Sequence, residues 1–90
     1  MEKFVGEMEA INTLIASARQ DVGCTIYLHH SNYRLEVQLF YNKDFLEICQ
    51  KLNAGYYLRE ENTEYTDICY FVTKSNIKYF RIIYKGDELK

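Results

Sequence analysis

Between Tyr33 and Tyr41 every second residue is apolar: Tyr33, Leu35, Val37, Leu39 and Tyr41 alternate with Arg34, Glu36 and Gln38. Successive side chains of a strand point to opposite faces, so this run can bury one face and wet the other only if it is extended. The period changes on either side of it. Phe4, Met8, Ile11, Leu14, Ile15 and Ala18 recur at helical spacing, and so do Phe45, Ile48, Cys49 and Leu52. These patterns predict helices over 3–20 and 44–53. They predict strands over 24–30, 33–41, 56–60, 65–73 and 77–84. The order is α-β-β-α-β-β-β. Each helix has one apolar stripe, so the expectation is a single α+β domain over residues 1–90, with both helices on one face of a mostly antiparallel sheet.

The punctuation agrees with this reading. Gly23 stops the first helix, and Asp44 is placed to cap the second, with Glu47 three residues on. Asn53-Ala54-Gly55 offers a left-handed exit. Ser31-Asn32 and Ser75-Asn76 are two-residue turns, because Asn tolerates positive φ. Glu61-Asn62-Thr63-Glu64 is a polar turn, and the tail from Lys85 to Lys90 is expected to fray. Laying Cys24–Phe40 over Ile68–Tyr84 aligns the two Ser-Asn pairs and predicts two hairpins of one kind.

Composition narrows the function classes. The chain has nine Tyr, five Phe, no Pro and no Trp, with a net charge of -2. Tyr suits half-buried sheet and binding faces, since its ring is apolar and its hydroxyl can stay wet. A slightly acidic balance speaks against holding nucleic acid by phosphate neutralisation. The three cysteines Cys24, Cys49 and Cys69 have no CxxC spacing, and the N-terminus reads as an amphipathic helix rather than a signal peptide. The expectation is reduced thiols in the cytoplasm, with no membrane span, since no apolar run approaches the roughly 20 residues one requires.

Chemistry-bearing residues are sparse. His29 and His30 are adjacent on a strand and point to opposite faces, so they do not chelate one ion together. Cys49 lies on the apolar face of the second helix and behaves as a small hydrophobe. No Gly-rich phosphate loop or nucleophile elbow is present, and no cofactor or metal is expected. The densest charge feature is the acidic group Glu60, Glu61, Glu64 and Asp67, flanked by Tyr56, Tyr57 and Tyr65. Acids beside aromatics make a prong suited to a basic groove of another protein, where complementary charge steers encounter and fixes register. A second candidate is the C-terminal strand. There Lys74, Lys78, Arg81 and Lys85 interleave with Tyr79, Phe80 and Tyr84, a pattern that can stack bases and meet phosphates.

From Gly23 onward the chain resembles one half of a LAGLIDADG homing endonuclease. The stretch 15–24 resembles the end of that family's opening helix, 44–56 its second helix with a Gly exit, and Phe71-Val72-Thr73-Lys74-Ser75 the end of its fourth strand. Val22 stands where the family carries its metal-binding carboxylate before Gly, with Asp21 one residue earlier. The resemblance therefore implies a nucleic-acid-binding module that has lost nuclease activity, with a helix over Ile77–Tyr84 where the β-rich composition predicts a strand. In size, acidity and Tyr content the chain is also similar to small phage- and virus-encoded inhibitors, anti-CRISPR proteins among them. That likeness implies a non-enzymatic module in a host cytoplasm that blocks the basic groove of a host nucleic-acid-binding protein. A homodimer through an open sheet edge is a further expectation.

Overall fold

The computed structural model describes residues 1–18, 21–29, 34–61, 67–84 and 86–90. Two helices and five strands follow in the expected order: α1 (Glu2–Ala18), β1 (Cys24–Leu28), β2 (Leu35–Leu39), α2 (Asn42–Lys51), β3 (Tyr57–Glu61), β4 (Asp67–Lys74) and β5 (Ile77–Tyr84). The chain is α+β, with one sheet in the order β1-β2-β5-β4-β3. Three of its pairings are antiparallel. The fourth, β2 with β5, is parallel and sets Val37 beside Tyr79 and Leu39 beside Arg81. Ile77–Tyr84 is a strand, as its β-branched and aromatic content predicts, not the helix that the LAGLIDADG resemblance implies.

Pairing fixes the two faces of the sheet. Cys24, Val37, Leu39, Tyr70, Val72 and Tyr79 meet α2, which presents Phe45, Ile48, Cys49 and Leu52 to them. Leu39, Phe45 and Val72 are the fully enclosed centre. Burying a side chain such as Phe45 contributes roughly 1.5–3 kcal/mol, so this small cluster is the main anchor of the fold. The tail does not fray throughout: Leu89 packs on the same cluster, and the Asn42 side-chain amide donates to the Glu88 carbonyl at 3.2 Å.

The local signals hold in part. Ser75 and Asn76 both adopt positive φ (56° and 62°) in the turn between β4 and β5, and Asn53 (52°) ends α2. The Ser31-Asn32 turn lies outside the described residues, and so do residues 62–64 of the expected polar turn; Glu61 closes β3. Asp44 is not the cap of α2. The helix starts two residues earlier, directly off β2, so Tyr41 takes the N-cap position in extended conformation with no side-chain cap hydrogen bond. Asp44 falls in the first turn, where its charge still suits the helix dipole.

The two helices differ in how they cover the sheet. α2 seals the core, whereas α1 buries none of its residues. Met8, Ile11 and Ile15 are half-buried, but Leu14 remains 69% exposed. No described helix is long and apolar enough to cross a membrane.

A candidate protein-docking edge

Of the predicted acidic and aromatic residues, Tyr57, Glu60 and Glu61 lie on β3, an edge strand of the sheet, with Tyr56 just before it and Asp67 at the start of β4. Tyr57 pairs with Phe71 and Leu58 with Tyr70, and then the register shifts before Glu60 meets Cys69 and Glu61 meets Ile68. A shift of this kind twists an edge and spoils it as a template for a like strand. Because Tyr57 and Leu58 are neighbours on a strand, their side chains leave by opposite faces. Tyr57 is 63% exposed and lies over Phe71 at 5.6 Å between ring centroids; Leu58 is 50% exposed. Tyr56, just ahead of the strand, turns toward the helix side. Its ring meets Tyr70 edge-on at 5.3 Å and Phe45 at 6.0 Å. Tyr56 is thus tied to the core and Tyr57 lies over Phe71 on the other face, and both still reach water.

Glu60 and Glu61 close β3, and Asp67 opens β4 beside Ile68, the partner of Glu61. The backbone therefore sets these three acids at adjoining strand ends, with Glu60 and Glu61 beyond the exposed Tyr57 and Leu58. Glu64 and Tyr65 lie outside the described residues.

The other predicted candidates resolve differently. Strand alternation places Lys78 and Phe80 on the face turned away from α2, and Tyr79 and Arg81 on the face toward it. Lys78 is only 4% exposed, with its ammonium 5.0 Å from the Phe71 ring centroid and 5.6 Å from that of Phe80. Arg81 donates through Nε to Asn42 Oδ1 at 2.9 Å and through its guanidinium to the Ile82 carbonyl. The C-terminal strand consequently offers no continuous basic-aromatic surface among the described residues; Lys85 lies outside them. Buried Lys78 escaped the sequence reading because its ring neighbours come from two strands, and only the register brings Phe71 near it.

Two reactive residue types have defined neighbours. His29 Nε2 stands 3.3 Å from Glu36 Oε2 across the first hairpin, and its ring is tilted beside Tyr27. His30 lies outside the described residues. Burial pushes the Cys49 thiol up from its ordinary value, only partly offset by a backbone hydrogen bond. This is opposite to the shift that activates a nucleophile. Among the described residues no group of His, Cys, Asp and Glu could hold a metal ion.

At the β3 edge the exposed Tyr57 and Leu58 are followed along the strand by Arg59, Glu60 and Glu61. Compared with protein-family models, curated proteins and solved structures, the chain shows no significant match to any of them.

Proposed function

We propose that the chain is a small non-enzymatic protein-binding module, acting in the cytoplasm, that seats its β3 edge on a basic surface of a partner protein. The observation that supports this reading is the exposure of Tyr57 and Leu58 on an edge strand that runs through Arg59 into Glu60 and Glu61. Tyr56 and Tyr57 supply large contact area at low conformational cost, because their rings are already propped by Phe45, Tyr70 and Phe71. The acids supply orientation and encounter rate against Lys and Arg of the partner. A basic groove of this kind is one that ordinarily holds nucleic acid, so occupancy by the module excludes the nucleic acid sterically. That is the mode of action of viral inhibitors of the anti-CRISPR type.

The test is affinity capture from the source cell, comparing the wild type with a variant carrying Glu60→Lys, Glu61→Lys and Glu64→Lys. The wild type is expected to retain a nucleic-acid-binding protein and to displace DNA or RNA from it, with binding that weakens as salt rises. The charge-reversed variant is expected to lose both effects. Equal retention by both chains at all salt concentrations removes the acidic edge from the account.

A further inference from the structure

The two edges of the sheet are built differently. β3 carries Arg59, Glu60 and Glu61 and a register shift, all devices that discourage strand addition by a like chain. β1 reads Cys-Thr-Ile-Tyr-Leu, with no charge and no Pro, and it pairs with β2 in unbroken register from Cys24 to Leu28. The hydrogen-bond phase of β1 follows from its ends. The His29 N–H donates to the Arg34 carbonyl, and the Phe40 N–H to the Gly23 carbonyl, both at 3.0 Å. In an antiparallel ladder every second residue points its backbone groups at the same neighbour. Gly23, Thr25, Tyr27 and His29 therefore face β2, while Cys24, Ile26 and Leu28 turn their N–H and C=O outward. Among the described residues nothing accepts or donates to those outward groups.

We infer that β1 pairs antiparallel with β1 of a second copy, about a two-fold axis at Ile26. That register sets Ile26 against Ile26 of the other copy and Cys24 against Leu28, so each outward N–H meets an outward carbonyl. It joins the two sheets into one. The pairing is isologous and closes at two copies, because the opposite edge is guarded. α1 supports the same occupant. It leads into β1, and its Phe4, Met8 and Ile11 line a cleft of about 750 Å³ with Leu28 at the far end of that strand. The two-fold axis brings two such helices together antiparallel, where exposed apolar residues such as Phe4 lose water. In that direction Glu7 and Glu9 of one helix lie beside the uncharged stretch 10–18 of the other, whereas a parallel arrangement would stack acid on acid.

The edge gives a selective test. The Ile26 N–H takes no part in the monomer ladder, so Ile26→Pro removes a donor only from the intermolecular pairing. Light scattering over a concentration series should find twice the mass of one chain for the wild type. For Ile26→Pro it should find the mass of one chain, with unchanged far-ultraviolet circular dichroism. A wild type that stays monomeric throughout the series, or a folded Ile26→Pro variant that remains dimeric, overturns the inference. If Ile26→Pro unfolds the chain, Leu28→Cys decides. Residues paired as Cys24 and Leu28 are here stand about 5.5 Å apart at Cα, within the span of a disulfide. Oxidised glutathione should then link Cys24 of each copy to the introduced thiol of the other, giving a covalent dimer that disappears when Cys24→Ser is added. Absence of that dimer counts against the inference as decisively as a monomeric wild type.

Discussion

Cys49 sits against Leu39, Phe45 and Val72 with almost no surface in water, and its thiol is held neutral there because the interior disfavours the thiolate. In the unfolded chain it ionises near its ordinary value of 9.0; in the folded chain it does so at higher pH. Its contribution to stability is therefore complete below the unfolded value and is lost as pH rises through the folded one. The slope is read as a difference between two chains that share every other ionisable group. Between about pH 8 and pH 10 the urea midpoint of the wild type should fall more steeply than that of Cys49→Ala. Parallel slopes would mean that Cys49 is solvated. At this scale the sequence was legible where a residue's fate depends on its own chain neighbours. Cys49 read as core from helical spacing alone. Lys78 did not, because its burial depends on rings supplied by a second strand.

α2 shows how an element can be recognised while its start is misplaced. Its apolar stripe is unambiguous, but the chain passes from β2 into the helix with only Phe40 and Tyr41 between them, and that connection fixes the first turn. Tyr41 then occupies a position where Ser or Asp would satisfy a free backbone N–H. Its ring lies over Gly23, yet it is largely in solvent. Tyr41→Ser restores the missing cap and sets it three residues before Asp44, and should raise stability by about 1 kcal/mol. The check is a denaturant midpoint shifted upward with no change in slope; a downward shift would show that the Tyr41 ring contributes more than the cap. Alternation located the strands, since period two is a local property. The parallel pairing of β2 with β5 was not legible, because it joins segments some forty residues apart and no short-range pattern records which strand becomes whose neighbour.

The molecule as a whole is longer than its mass requires. Its radius of gyration is 14.8 Å, against about 12 Å for a compact chain of this length. Its extents are 47 × 26 × 20 Å. The sheet and α2 account for the core, and α1 adds reach without adding any fully buried residue. Removing residues 1–18 should therefore cost less than Phe45→Ala, which empties the centre of the core at about 3–5 kcal/mol. Urea unfolding of the two variants measures the comparison. If the truncated chain fails to unfold cooperatively while Phe45→Ala still does, α1 is integral to the monomer. That Tyr57, Glu60 and Glu61 share a strand was legible, because they are neighbours in sequence. That Tyr56 and Tyr57 are braced from beneath by Phe45, Tyr70 and Phe71 follows only from the assembled sheet.

The β2–β5 seam also governs the order in which the chain can assemble. The β1–β2 hairpin and the β4–β5 hairpin each close locally and fast, but neither owns the seat of α2, which spans strands from both. The core is complete only once β5, paired with β4, has docked beside β2, so without Ile77–Tyr84 the two halves of the helix's seat are not joined. Joining distant segments side by side in the same direction is intrinsically slow, so the docking of β5 beside β2 is expected to limit refolding.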